Sequence, residues 1–337
     1  MTLHAVGLAN FKAFGPSQRV PLRPITLLYG ANSAGKSSVL HALALAHHAV
    51  ETGELDIQRT QIGGEAIDLG GFRQFVHRRQ RDAQVELTFA LETKRLSGRV
   101  GDLLRAARDV VVQVGIGSAS SDGPEPEQGV RVERFAVEVD GRPMLAMSAR
   151  RQGLLRLDRL DHGHPVFREV FRSILTVATT TTDLTEQDFA RVAEVMDEVV
   201  PGITGRREGL FPRIEHEAAH EVETRVGLVA VSRGRRQEDL AHAARLFLPR
   251  VLRDIVGGLA AAFEVEIRRL RYLGPLRSYP PRHLALSPDH DPNWHAGGGY
   301  AWDVVRQRAG VRERVNQWLG DSERLKTPYE LQIRELL

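Results

Sequence analysis

The sequence predicts an α/β fold, because three kinds of pattern follow one another along its 337 residues. Short apolar runs at the start lead through a glycine-rich turn into an apolar stretch with helical spacing. Alternating or apolar runs at 84–91, 110–116, 130–139 and 144–157 are typical of an antiparallel sheet, with a turn predicted at Asp140-Gly141-Arg142. From Phe167 onward the spacing is helical. With 42% hydrophobic residues, the chain can bury a core and is long enough for two domains.

The first strands are predicted at Leu3 to Phe11 and at Ile25 to Tyr29, which are short apolar runs rich in strand-forming residues. Gly15, Pro16 and Pro21 break the chain between them. The second run is apolar at nearly every position, so we expect a buried strand. The glycine-rich turn follows it directly.

That turn reads GANSAGKSS from Gly30 to Ser38, and apolar residues at 39, 40, 43, 45 and 46 then recur at helical spacing. Two glycines five positions apart, followed by Lys-Ser, form the pattern of a phosphate-binding loop between a strand and a helix. Gly30 and Gly35 permit the sharp turn and the close approach of backbone to oxygen. The alternative is an accidental glycine-rich turn.

Each residue type in this loop suits a triphosphate. Backbone N–H groups from Ala34 to Ser38 point at phosphates from a helix N-terminus, where the dipole favours negative charge. Lys36 adds a positive charge for the β- and γ-phosphates, the Ser37 hydroxyl ligates magnesium, and Ser38 donates toward the α-phosphate. We therefore predict ATP and Mg²⁺ as cofactors. The residues predicted to bind the nucleotide are Gly30, Asn32, Ser33, Ala34, Gly35, Lys36, Ser37 and Ser38.

Segments around the loop resemble a known family. Residues 8–14 read LANFKAF and residues 25–40 read ITLLYGANSAGKSSVL, similar to the start of ABC-type ATPases of the RecF, SMC and OLD group. DLGGFRQ at 68–74 and YLGPLR at 272–277 resemble segments of bacterial AAA-type, OLD-like ATPases. The resemblance is strongest over the first ninety residues or so. It implies a P-loop ABC-type ATPase lobe with an antiparallel β subdomain and an inserted helical arm or lid.

The resemblance also implies roles for two further residues and a set of partners. Gln74 matches the glutamine that reaches magnesium and the attacking water, and Lys12 matches a basic residue near the nucleotide. Without the resemblance, Gln74 is a polar loop residue and Lys12 an isolated surface lysine. The implied assembly is a homodimer that sandwiches ATP and signals to DNA or to an effector nuclease or toxin, in anti-phage defence or DNA repair.

Other parts of the family pattern are missing. The chain has no LSGGQ-like signature and no apolar strand ending in Asp-Glu, and its nearest acidic pair, Asp197-Glu198, follows helical spacing from Phe189. We therefore expect the C-terminal lobe to be absent, and a non-hydrolysing, ATP-binding regulatory subunit is an alternative. The predicted parts are 1–160, the ATPase lobe with the sheet; 161–265, a mainly helical insertion; and 266–337, a return toward the ATPase core. The helices are predicted at Gln187–Val200, Glu238–Phe263 and Trp302–Leu319.

A second motif permits a different chemistry. His216, Glu217 and His220 match the HExxH pattern, which on a helix would hold zinc with the glutamate as base. A chain with 13 histidines can match it by chance, and a solvated charged helix is the alternative. A GTPase, kinase or transporter subunit was the remaining class, although no Asn-Lys-x-Asp segment for guanine is present.

The composition bears on the cellular compartment of the protein and permits a phosphate-rich binding partner. Lys and Arg total 46 against 43 Asp and Glu, and nearly all the basic residues are arginine, which grips phosphate through two N–H groups. Arginine clusters lie at 77–81, 233–236 and 268–277, and Arg277 is either a DNA contact or part of a structural ion pair. The absence of cysteine fits a reducing cytoplasm, and we expect a soluble protein without a membrane segment.

Overall fold

The computed structural model of the chain describes residues 3–80, 83–118, 129–150, 153–168, 170–172, 186–216, 236–274, 294 and 296–333. It is a mixed α/β structure, as the sequence predicts, with nine antiparallel strands in its main sheet. The chain divides into two compact units. The first contains Met1–Gln58 and Leu69–Leu270, and the second contains Arg59–Asp68 and Arg271–Leu337. The predicted borders after 160 and 265 stay a prediction.

Eleven strands are present among the described residues. They are β1 (Leu3–Ala9), β2 (Gln18–Pro21), β3 (Arg59–Thr60), β4 (Gly64–Asp68), β5 (Val85–Glu92), β6 (Asp109–Ser118), β7 (Val130–Val139), β8 (Arg142–Ala149), β9 (Leu154–Leu160), β10 (Ile203–Arg206) and β11 (Arg213–His216). The main sheet has the order β11-β10-β9-β8-β7-β6-β5-β1-β2, and every neighbouring pair is antiparallel. Because β5 to β11 are neighbours in chain order, most of the sheet is a meander.

The alternating pattern correctly predicted this sheet. In β6, Val110, Val112, Val114 and Ile116 are buried at every second position, which turns one face toward the core. Asp140 and its neighbouring glycine form the predicted tight turn between β7 and β8. One detail was wrong: the single run predicted over 144–157 is two strands, β8 and β9, and the chain turns between them. The run was misread because both halves are apolar on the same face.

Besides a helical stretch over 165–168 and 170–172, seven α-helices are described. They are α1 (Lys36–Thr52), α2 (Phe72–Phe75), α3 (Gly98–Leu103), α4 (Glu186–Val199), α5 (Arg236–Ile267), α6 (Gly299–Gln307) and α7 (Ala309–Gly320). The predictions that correspond to α4 and α5 are confirmed, with α5 slightly longer than predicted. The helix predicted over 302–319 is two helices, because Arg308 has extended backbone angles and interrupts the helical ladder between α6 and α7. No helix within the described ranges is long and apolar enough to cross a membrane.

The core of the first unit lies where α5 packs on the sheet. The Phe263 ring of α5 is 4.4 Å from the Phe89 ring of β5 and 5.3 Å from that of Phe211, measured between centroids. The Phe211 ring is in turn 5.8 Å from Phe135 of β7. Phe89, Phe135 and Phe263 have no exposed surface. This aromatic row packs the long helix against β5 and β7.

The second unit has its own small elements. Strands β3 and β4 form a two-stranded hairpin. The side chain of Asn316 on α7 accepts from the Leu331 N–H at 2.8 Å and donates to the Leu331 carbonyl at 3.0 Å. This pair of bonds fastens the last described segment to α7.

The strand predicted at Ile25 to Tyr29 is absent from the sheet. These residues are irregular, and Ile25, Leu27 and Tyr29 expose 80%, 67% and 86% of their surface. Pro21 ends β2 and Pro24 follows, and neither ring nitrogen can donate to a strand ladder, so the chain leaves the sheet here. The prediction of a buried strand before the loop was therefore wrong.

Candidate phosphate-binding site

The segment GANSAGKSS forms a turn that opens α1. The helix begins at Lys36, and Gly35 before it has left-handed backbone angles, with φ of 91° and ψ of 8°. The Ala34 N–H donates to the Ala31 carbonyl at 3.2 Å, and the Ser38 N–H donates to the Gly35 carbonyl at 2.9 Å. The helix predicted after the loop is confirmed. Its N-terminus lacks a side-chain cap, and its first turn contains no acidic residue.

Lys36 folds its side chain back over the loop. Its ammonium donates to the Gly30 carbonyl at 2.9 Å and to the Ala31 carbonyl at 2.7 Å. An ammonium has three N–H groups, so the third can still donate to a ligand oxygen. The positive charge therefore lies at a helix N-terminus that itself carries roughly half an elementary positive charge. Since no acidic side chain of the first turn neutralises them, the two charges together favour an anion.

The two serines after Lys36 differ in exposure. Ser37 is exposed and Ser38 is buried. The exposed hydroxyl is the one that the sequence assigns to magnesium, and a hydroxyl oxygen is a ligand that Mg²⁺ accepts. Asn32 and Ser33 lie in the exposed part of the loop. The Ala34 and Ser38 N–H groups already donate within the turn, so of the five N–H groups that the sequence assigns to phosphate those of residues 35–37 remain. Together with one ammonium and one hydroxyl, these donors fit a magnesium-bound triphosphate.

The loop packs against a turn formed by residues 10–15, which we call the Lys12 turn. The Phe11 N–H donates to the Phe14 carbonyl and the Phe14 N–H donates to the Phe11 carbonyl, both at 2.9 Å. A Cβ atom added to Gly35 would lie 3.0 Å from Ala13 Cβ and 3.1 Å from Phe14 Cζ. The closeness of these atoms and the left-handed backbone together favour glycine at position 35. The loop and the Lys12 turn are therefore held in direct contact.

The Lys12 turn also holds α2, the helix that carries Gln74. The Lys12 N–H donates to the Phe75 carbonyl at 2.6 Å, and the rings of Phe11 and Phe75 are 5.5 Å apart. His77, just after α2, donates from Nδ1 to the Lys12 carbonyl at 2.8 Å. The structure thus brings the Lys12 turn into contact with the loop on one side and with α2 on the other. The Gln74 side chain is exposed on α2.

Two residues that the sequence did not single out support this arrangement. The Asp56 carboxylate accepts the Phe72 N–H at 2.7 Å and so caps the start of α2. His41 lies on α1, where burial and then the Lys12 charge lower its pKa to about 4. A capping residue far along the chain and a histidine at a helical position leave no motif in the sequence, so neither could be found from it.

The HExxH motif is only partly described. His216 is the last residue of β11 and pairs with Ile203 of β10, so the predicted helical position for this histidine is wrong. A short strand is favoured here because β10 offers a free edge. Glu217 and His220 lie outside the described residues. Within the described ranges, no three His, Cys, Asp or Glu side chains are grouped as a metal site.

The arginine clusters also differ in what they contact. Arg268 pairs with Glu51 at 2.9 Å and with Glu264 at 2.8 Å, and Arg269 pairs with Glu266 at 3.5 Å. These arginines belong to structural ion pairs. Arg277 and the cluster at 233–235 lie outside the described residues.

No protein-family model matches the chain, and no curated protein matches it.

Proposed function

We propose that this chain binds ATP with magnesium through the loop from Gly30 to Ser38, as a RecF, SMC and OLD-like ABC-type ATPase. The observation that carries the proposal is the Lys36 ammonium, which is bonded to two loop carbonyls at a helix N-terminus without acidic residues in its first turn. Such a concentration of donors and positive charge suits the β- and γ-phosphates.

The proposed roles follow from where each group lies. Lys36 neutralises charge on the β- and γ-phosphates, and the exposed Ser37 hydroxyl ligates magnesium. Lys12, in the turn that touches both Gly35 and α2, adds a second positive charge at the edge of the site. Gln74, exposed on α2, orients magnesium and the attacking water. In hydrolysis, water adds to the γ-phosphorus, the bond to the β-γ bridging oxygen breaks, and ADP and phosphate leave.

The binding test compares matched lysine variants. Titration calorimetry with ATP and magnesium is run on the parent, on Lys36→Ala and on Lys94→Ala. Lys94 is an exposed lysine in a short 3₁₀ turn, so its loss changes the net charge equally without touching the loop. We expect Lys94→Ala to bind like the parent and Lys36→Ala to lose binding. Equal binding by the two variants would contradict the proposal.

A second candidate function is a regulatory subunit that holds ATP without hydrolysing it. The observation in its favour is that the sequence has no apolar strand ending in Asp-Glu, the pattern that would supply a carboxylate to polarise the attacking water. Steady-state phosphate release separates the two functions. Turnover that falls in Gln74→Ala while ATP binding persists supports the ATPase, and binding without turnover in the parent supports the regulatory subunit.

The proposed consequence of ATP binding is assembly. In this proposal two copies sandwich ATP, and closure signals to DNA or to an effector nuclease or toxin in anti-phage defence or DNA repair. Analytical ultracentrifugation of the parent and Lys36→Ala, with and without ATP, tests the first step. A dimer that forms only with ATP and only in the parent is the expected result, whereas a nucleotide-independent monomer contradicts it.

A further inference from the structure

Three exposed arginines beside the candidate site lie close together and have no carboxylate partner among the described residues. Arg73 lies on α2, and Arg78 and Arg79 lie in the 3₁₀ turn that follows it. None of the three makes an ion pair within the described part of the chain. Several other exposed arginines of the same unit do so, as in the pairs Arg95–Glu92, Arg105–Asp102, Arg142–Asp161 and Arg150–Asp158. We call residues 73, 78 and 79 the arginine rim.

The backbone holds two of these arginines in an unfavourable conformation. Arg78 and Arg79 are consecutive and both left-handed, with φ of 53° and 56°. Residues with a side chain rarely adopt this conformation, which persists only where the surroundings impose it. His77 supplies the constraint, because its N–H donates to the Asn10 carbonyl and its Nδ1 donates to the Lys12 carbonyl, both at 2.8 Å. The arginine rim is therefore attached directly to the Lys12 turn.

The chemistry of the arginine rim fits phosphodiester groups better than bases. Guanidinium groups form paired N–H bonds to phosphate oxygens. Single-strand binding surfaces instead present aromatic rings on which bases stack. The two aromatic residues of this segment, Phe72 and Phe75, are both buried and cannot do so.

We propose that the arginine rim binds the phosphate backbone of duplex DNA, beside the candidate nucleotide site. The inference rests on the proposed function in assigning this partner to the ATPase, but the contact itself can be measured without nucleotide. Because the Lys12 turn touches Gly35 of the loop as well as His77 of the rim segment, a duplex on the rim lies next to the phosphate-binding loop.

The test measures fluorescence anisotropy of a labelled duplex at several salt concentrations, without nucleotide. The test variant combines Arg73→Ala, Arg78→Gly and Arg79→Gly. The glycines remove charge and relieve the left-handed strain, so the variant should unfold at no lower urea concentration than the parent. The control variant combines Arg95→Ala, Arg105→Ala and Arg150→Ala, which removes the same charge from paired positions.

Three neutralised phosphates contribute about 2.7 to the slope of log affinity against log salt, or about 40-fold in affinity between about 50 and about 200 mM salt. We expect the test variant to lose this contribution and the control variant to keep it. Equal slopes in the two variants would overturn the inference. So would binding of anionic phospholipid vesicles, but not of duplex, that depends on the same three arginines.

These variants distinguish a loss of nucleotide binding from a loss of duplex binding. Lys36→Ala should keep the duplex affinity of the parent, and the arginine variant should keep its ATP affinity. If the parent binds ATP but its duplex binding does not depend on the arginine rim, the inference fails and the proposed function stands. If the parent binds the duplex through the rim but does not bind ATP, the proposed function fails.

Discussion

Replacing Gly35 by alanine tests whether the shape of the loop determines nucleotide affinity. Gly35 has a φ of 91°, and an added Cβ would approach Ala13 Cβ at 3.0 Å and Phe14 Cζ at 3.1 Å. A left-handed conformation costs a residue with a side chain roughly 1 to 2 kcal/mol. If only this loop conformation binds ATP, the same energy lowers its population by about 5- to 30-fold, and the apparent Kd rises by that factor.

The matched control for this change lies at the other end of the same helix. Gly53 follows α1 with a φ of 78°, and no atom lies within 4 Å of the position its Cβ would take. Gly53→Ala therefore carries the backbone cost without the contact to the Lys12 turn. We expect both variants to be less stable to urea by roughly 1 to 2 kcal/mol, with Gly35→Ala affected at least as much.

Titration calorimetry with ATP and magnesium then separates the two variants. Gly53→Ala should bind ATP like the parent, and Gly35→Ala should bind at least about 5-fold more weakly. The reasoning is refuted if the two alanine variants have the same ATP affinity. It is refuted equally if Gly35→Ala is destabilised but binds ATP with the parent Kd, because the loop conformation would then not matter for binding.

Two further predictions concern stability. Phe263→Ala removes a fully buried ring 4.4 Å from that of Phe89 and should lower the free energy of unfolding by about 3 to 5 kcal/mol, measured by urea denaturation. His41 has a folded pKa of about 4 against 6.5, chiefly through burial and then through Lys12, so the unfolded state binds more protons between these values. The contribution of neutral His41 to the free energy of unfolding is present above pH 6.5 and is lost as the pH falls toward about 4. His41→Leu should therefore make the urea midpoint of unfolding less dependent on pH over this range.

The control for Phe263→Ala is a more conservative substitution at the same position, and the control for His41→Leu is a substitution of a different histidine. Phe263→Leu keeps much of the buried volume and should cost less than Phe263→Ala. A smaller loss in the alanine variant than in the leucine variant would contradict the packing argument. His162 is exposed, and His162→Leu should leave the pH dependence as in the parent. If the two histidine variants behave alike, His41 is not responsible for the acid sensitivity.

The sequence predicted those parts of the fold that depend on neighbouring residues. The strands β5, β6 and β7 could be read because buried side chains recur at nearly every second position, whereas β8 and β9 were read as a single run. The run from Ile25 to Tyr29 was misread because apolar composition reports only a tendency to be buried, whereas strand pairing depends on distant partners. The break at Arg308 was missed for a related reason, since one extended residue inside a helical pattern changes the spacing very little.

The candidate site likewise contains residues that the sequence could identify and contacts that it could not. The loop from Gly30 to Ser38 is one contiguous motif, so its residues could be named from the sequence. The contacts around it are non-local: Asp56 caps α2 across 16 positions, and His77 holds Lys12 across 65 positions. No alternation or spacing encodes such pairs. The Lys12 turn could be suspected only through the resemblance of its Asn-Phe-Lys segment.

Amide hydrogen exchange with and without ATP and magnesium reports directly whether the nucleotide lies on the loop from Gly30 to Ser38. We expect slower exchange over residues 34–38, at the start of α1, in the parent and in Lys94→Ala, and no such change in Lys36→Ala. Protection confined to another part of the chain, or protection of residues 34–38 that persists in Lys36→Ala, would contradict this expectation.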